Sequence, residues 1–181
     1  MSDITSTAEA LEAIRKVRQV RQFVGGEVSD EQLNAMLEIA RWTGSSRNTQ
    51  PWRFVVIRDK DMLKQLSDLR ENITWVADAT LAIGLVSPGE NPPHEAYDEG
   101  RVTERLMIAA HMLGLGAGTA WFGEPEREAK AKALLNVPEA KTLRSVVAIG
   151  PYKTAKDPRP TGPKPGRLSL DELVFQETYK G

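Results

Sequence analysis

Apolar residues recur along this chain with two different periods. Leu11, Ile14 and Val17 fall on one side of a helix predicted over Ala8–Val17. Ser29 is a good N-cap with Gln32 three residues later, and Leu33, Met36, Leu37 and Ala40 follow at helical spacing. Phe54–Ile57 is a short β-prone run and reads as a buried strand. Leu63, Leu66 and Leu69 mark another amphipathic helix, and Thr80–Val86 reads as a second buried strand. The stretch from Ser87 to Gly100 is rich in Pro, Gly and charge, which predicts a surface loop. Arg101–Leu113 reads as a long helix, apolar over most of its circumference, as at a domain centre or a subunit interface. Leu115–Phe122 has small residues and an aromatic, strand-like end. A helix over Glu126–Leu135 stops before Pro138, and Ser145–Ile149 is a strong strand. Gly150–Gly166 is Pro- and Gly-rich, after which Ser169 opens a short helix with Glu172 at its third position. Three or four strands separated by helices argue for α/β or α+β, and the sequence leaves their order open.

Composition narrows the class. The 181 residues suit a single domain, 1–181, with a core of its own; in the 150–181 tail, Gly150–Gly166 has little apolar surface and an ordered-looking element follows, so the tail is expected to pack on something else, a partner subunit being one candidate. At 40% hydrophobic and 27% charged the chain is ordinary globular material, and a net charge of −1 gives no global field toward nucleic acid or an anionic membrane. There is no cysteine, which excludes disulfide scaffolds, thiolate metal sites and cysteine nucleophiles. The first residues carry no apolar run of signal length and no stretch is long enough to span a bilayer, so a cytoplasmic protein is expected.

Four segments could carry chemistry. In residues 17–23, Arg18 and Arg21 would share a face of a helical turn, and a pair of guanidinium forks suits a phosphate. Residues 44–54 join a helix to a strand and offer backbone N–H groups with Ser45, Asn48 and Gln50, while Pro51 fixes the backbone and Trp52 adds a flat apolar wall. In residues 113–121 no strand precedes the glycines, which excludes a dinucleotide fingerprint; glycine there would let backbone approach a flat ligand. Lys164 and Arg167 precede the last capped helix. Each segment alone has an ordinary structural reading as a solvated turn, a polar loop or a helix end. His94 and His111 have no metal-ligand spacing and read as structural or surface groups. Asp98, Glu99 and Glu104 sit near a predicted helix start, where the dipole favours acids. Binding groups without an acid, base or nucleophile imply that, in an enzyme, a cofactor carries the reactive centre.

Together these segments resemble the nitroreductase family. The Arg-x-x-Arg-x-aromatic signature appears as Arg18, Arg21 and Phe23, with Gln19 where Ser is usual. The loop signature Ser-x-x-Asn-x-Gln-Pro-Trp-x-Phe is matched by Ser45, Asn48, Gln50, Pro51, Trp52 and Phe54, with Gly44 where Pro often precedes it. The helix beginning at Asp98 and Gly100, the run Ile149–Lys153 and the later Arg167–Leu170 follow in the family's order. The resemblance implies an α+β fold with a central, mostly antiparallel sheet flanked by helices, and an intertwined homodimer with two FMN sites at its interface. It implies an NAD(P)H-dependent FMN oxidoreductase, using NADH or NADPH in a ping-pong cycle with nitroaromatic, quinone or similar acceptors; a flavin carrier or sensor without reductase turnover is the alternative. Arg18 and Gln19 would contact the phosphate and ribityl chain with Arg21 near them, Ser45, Asn48 and Gln50 would approach the flavin from the loop, and backbone near Gly116 to Ala120, Gly118 and Thr119 included, would line the ring. Arg167, helped by Lys164, would pair with the phosphate. The chain is short for the family, so an open pocket is expected, with residues 87–99 as its candidate lid.

Overall fold

The computed structural model describes residues 7–153 and 167–179. Four strands form one antiparallel sheet: β1 (Arg53–Ile57), β2 (Leu81–Val86), β3 (Gly116–Trp121) and β4 (Ser145–Gly150), in the order β1-β2-β4-β3. The strand alternation supplies two apolar faces. Leu81, Ile83 and Leu85 of β2 and Val147 and Ile149 of β4 enter one core, whereas Ala82, Val86, Val146 and Ala148 enter the other. Both central strands are buried along their whole length. The expectation of an α+β fold with an antiparallel sheet between helices is met.

The first core is closed by α2 (Asp30–Arg41), through Leu33, Met36 and Ala40, and by α4 (Pro92–Met112), through Val102, Leu106 and Ala110. The second is closed by α3 (Lys60–Ser67), by a 3-10 helix over Glu71–Asp78 that the apolar pattern did not reveal, and by α5 (Pro125–Leu134). α2 begins as its sequence predicts: Ser29 Oγ accepts from Gln32 N–H and the Gln32 side chain accepts from Ser29 N–H. α1 (Thr7–Lys16) buries none of its residues, and α6 (Leu170–Leu173) is a single turn with the predicted Ser169–Glu172 box.

The expected loop over 87–99 is corrected. α4 starts at Pro92, inside it, with Asn91 as N-cap and prolines in the first turn, where their missing N–H groups cost nothing. The entry is pinned by Glu95, which is 5% exposed. Its Oε1 accepts from the backbone N–H groups of Gly89, Glu90 and Asn91, and its Oε2 accepts from Thr142 Oγ1 and lies 3.5 Å from Arg144. Burial alone would raise this carboxyl's pKa, but the hydrogen bonds from Asn91, Thr142, Glu90 and Gly89 outweigh it and hold the pKa below the ordinary value. One turn on, Glu99 accepts from Ser145 Oγ and Arg144 Nη1, and burial pushes its pKa up. A segment held this way is an anchor for α4 rather than a lid.

Candidate functional site

Residues 17–23 are extended, not helical, because α1 ends at Lys16. The shared helical face expected for Arg18 and Arg21 is therefore replaced by a different geometry. β3 is an edge of the sheet, and the segment docks on that edge through a parallel bridge from Gln19 to Ala117, with Val20 N–H donating to Ala117 O at 2.9 Å. The chain then crosses to the residues after β4, where Phe23 bridges Tyr152, Val24 N–H donates to Pro151 O and Lys153 N–H donates to Gln22 O.

A cavity of about 500 Å³ opens where this segment meets the C-terminal end of α4. Its lining includes the cations Lys16, Arg18, Arg21 and Lys153, the polar and apolar residues Gln19, Val20 and Gln22 between them, and Met107, His111, Leu115, Gly116, Ala117 and Tyr152. Arg18 Nη1 donates to Arg15 O at 2.6 Å and to Val17 O at 2.7 Å, which caps the end of α1 and fixes the guanidinium. Arg21 has no hydrogen-bond or ion-pair partner among the described residues. Four cations with no carboxylate among the lining residues suit an anionic ligand, and the volume lies in the usual range of ligand pockets, roughly 300–1,000 Å³.

Gly118 and Thr119 lie next along β3, and their neighbours are the chain's own. A Cβ on Gly118 would stand 2.1 Å from Val20 O and 3.2 Å from the Trp75 ring, so the expected open face toward a flat ligand is occupied by backbone and indole. The glycine is needed for the docking of 17–23. Thr119 exchanges two hydrogen bonds with the Gln19 side chain: Thr119 N–H donates to Gln19 Oε1 at 3.0 Å, and Gln19 Nε2 donates to Thr119 O at 2.8 Å.

Ser45, Asn48 and Gln50 are not on this cavity wall. They form a separate loop around a 3-10 turn, Ser46–Asn48, in which Arg47, Asn48 and Gln50 have φ of 52°, 56° and 46°. Three non-glycine residues in the left-handed region within four positions are strained, and such strain persists where the surroundings over-determine it. Here Ser45 Oγ accepts from Gln50 N–H at 2.9 Å, Gln50 Nε2 donates to Asn48 O, and Arg53 Nη1 donates to Gln50 O. Trp52 is buried in the α2–α4 core, so it anchors the loop instead of walling a pocket. The exposed tip leaves the Asn48 side chain without a partner among the described residues. A Cβ on Gly44 would lie 3.0 Å from Arg101, which places the loop beside the middle of α4.

Arg167 is exposed and has no partner among the described residues, while Lys164 lies outside them. Lys16, His111, Tyr152 and Lys153 also line the cavity, which their residue types alone do not indicate. The available signal for Lys153 is its place three residues after β4, and for Lys16 its place at the end of α1.

The model of the Nitroreductase family matches residues 14–91. An Archaeoglobus fulgidus protein named "Putative NADH dehydrogenase/NAD(P)H nitroreductase" is 33% identical over 156 residues, covering 82% of this chain and 88% of its own length. The Bacillus subtilis protein named "FMN reductase [NAD(P)H]" is 24% identical over 194 residues, covering 94% of this chain and 74% of its own. Among solved structures, an FMN-dependent nitroreductase from Clostridium difficile R20291 superposes with a TM-score of 0.80 at 23% identity, over 93% of this chain and 99% of that one, and so shares the fold.

Proposed function

The chain belongs to the nitroreductase family, and from that premise we propose that the cationic cavity is its FMN phosphate site and that the strained 45–50 loop of a second copy completes the flavin site. The protein is an NAD(P)H-dependent flavin oxidoreductase. The residues fit FMN: the cavity lining supplies cations for a phosphate monoester and apolar side chains for a flat ring. Arg18 and Arg21 would grip the phosphate with charge-assisted hydrogen bonds, supported by Lys16 and Lys153, and Arg167 would join them from the C-terminal segment. When bound, FMN supplies two-electron hydride chemistry between NADH or NADPH and a nitroaromatic, quinone or similar acceptor, each reacting in turn at one face. The chain's own part is to bind, orient and exclude water. The observation that carries this reading is the clustering of Arg18, Arg21 and Lys153 around one cavity from distant parts of the sequence.

A homodimer is supported by what one chain leaves uncovered. Residues 167–179 are exposed throughout, including Leu170 at 74% and Tyr179 at 78%. Leu11 and Ile14 of α1 and Tyr97 and Met112 of α4 are exposed as well. Apolar surface on this scale calls for a partner. Ten residues of α4, about 15 Å, separate Arg101 beside the loop from His111 in the cavity. Antiparallel apposition of two α4 helices would set each loop beside the other copy's cavity. Among the described residues no helix is long and apolar enough to cross a membrane, and a cytoplasmic setting fits the absence of cysteine.

The test is the absorbance spectrum of the purified protein after incubation with FMN, followed by anaerobic addition of NADH or NADPH. Bound flavin that bleaches with the nucleotide and recovers with a quinone or nitroaromatic is the expected result. Protein that takes up no flavin would sink the proposal, and bound flavin that neither nucleotide bleaches would favour a carrier.

A further inference from the structure

Gln19 lines the cavity between Arg18 and Arg21, and its side-chain amide is hydrogen-bonded to the protein's own backbone. Its oxygen accepts from Thr119 N–H and its nitrogen donates to Thr119 O, across 100 positions of sequence. The amide thus reproduces the donor-and-acceptor pattern of a peptide group, which few side chains can do. The neighbouring main-chain rung, from Val20 N–H to Ala117 O, holds the segment at one point of β3. A second rung at Thr119 fixes its direction along the strand. Val20 O packs against the bare Cα of Gly118, between the two rungs.

We propose that Gln19 is a positioning residue: its amide extends the β3 ladder by one rung and so holds Arg18 and Arg21 on the cavity wall. This rests on the reading of that cavity as the FMN phosphate site. A serine at this position would be too short to bridge both backbone groups of Thr119, so the departure from the usual residue carries a structural task of its own.

The experiment compares the parent with Gln19→Ala and Gln19→Glu by FMN titration, following quenching of flavin fluorescence, together with hydrogen exchange at the Thr119 amide. At about pH 8 both variants should bind FMN roughly three- to tenfold more weakly, the scale of one or two exposed hydrogen bonds. Thr119 N–H should exchange faster in Gln19→Ala. The carboxylate of Gln19→Glu has no proton to give Thr119 O. Its deficit relative to the parent should shrink toward pH 4.5, near the ordinary Glu value of about 4.3, as protonation restores the donor, while the Gln19→Ala deficit stays constant. FMN affinities within twofold of the parent, or weaker binding without faster Thr119 exchange, would overturn the proposal. A parent that binds no FMN would refute the reading of the cavity, and the exchange measurement would then decide the Thr119 tether by itself.

Discussion

Gly118→Ala puts one methyl group where two parts of the chain cross. The added carbon would stand 2.1 Å from Val20 O, with the Trp75 ring 3.2 Å away. The carbonyl belongs to backbone and cannot rotate aside; it must retreat by about 1 Å to reach the 3.0 Å below which such contacts essentially never fall. That movement breaks the 2.9 Å bond from Val20 N–H to Ala117 O and strains the paired bonds between Gln19 and Thr119. At about 1 kcal/mol each, less for exposed groups, the loss is about 2–3 kcal/mol. Gly118 does not have a positive φ, so alanine also limits the unfolded chain and returns about 0.4–1 kcal/mol. The net destabilisation is about 1–3 kcal/mol, which at about 2–4 °C per kcal/mol for a chain of this size lowers Tm by roughly 2–12 °C. Circular-dichroism melting reads the stability and FMN titration reads the docking, since Arg18 and Arg21 move with the segment. A variant that melts within a degree of the parent and binds FMN equally well would refute the claim that this glycine exists for the crossing.

Four further outcomes are expected. Arg18→Ala and Arg167→Ala should each weaken FMN retention by at least about tenfold, about 1.4 kcal/mol, measured by flavin release on dilution; unchanged retention in both would remove the phosphate assignment. Glu95→Gln keeps the shape but leaves Arg144 with Glu99 as its only carboxylate, and should cost about 1.5–3 kcal/mol in urea unfolding at neutral pH. Because the folded pKa of Glu95 is depressed, its contribution is full above the unfolded value of about 4.3 and disappears as pH falls through the folded value, so acid unfolding should be flatter in Glu95→Gln than in the parent. On the proposed homodimer, the parent should sediment as a dimer and Leu170→Asp combined with Phe175→Asp as a monomer; an unaltered dimer would show that the exposed C-terminal segment is not its seam.

What could be read in the sequence was local. The Ser29–Gln32 box, the runs that became β2 and β4, and the Ser169–Glu172 box are decided by neighbours within a few residues, and all stand as expected. Two errors have physical causes. Pro92 and Pro93 read as loop punctuation although proline suits a helix's first turn; the decisive partners, Thr142 and Arg144, lie about fifty residues away. Arg18 and Arg21 have helical spacing, but their backbone is claimed by the edge of β3, which no local pattern announces. The same holds for His111 and Lys153, which become cavity walls only once α4 and β4 end side by side. The 45–50 loop was legible as a motif, yet its left-handed backbone was not, since arginine and glutamine rarely adopt it.

The two sheet edges are handled differently, and that difference locates the site. β1 has no further strand beside it among the described residues; it is five residues long, begins with Arg53 and is followed by Arg58, features that discourage edge-to-edge pairing. β3 has small residues, Gly116, Ala117, Gly118 and Ala120, which would leave a smooth edge open to another chain. Gln19 and Val20 cover it instead. Tyr152 fills the space beside Gly116, and Val20 fills the space beside Gly118. Larger residues on β3 would expel that cover, and with it Arg18 and Arg21. On the proposed site, Gly118 would therefore serve stability and binding through one contact. Substitutions that loosen this edge should lower FMN affinity and melting temperature together, whereas substitutions at the Asn48 tip, which touches neither cover nor core, should separate the two.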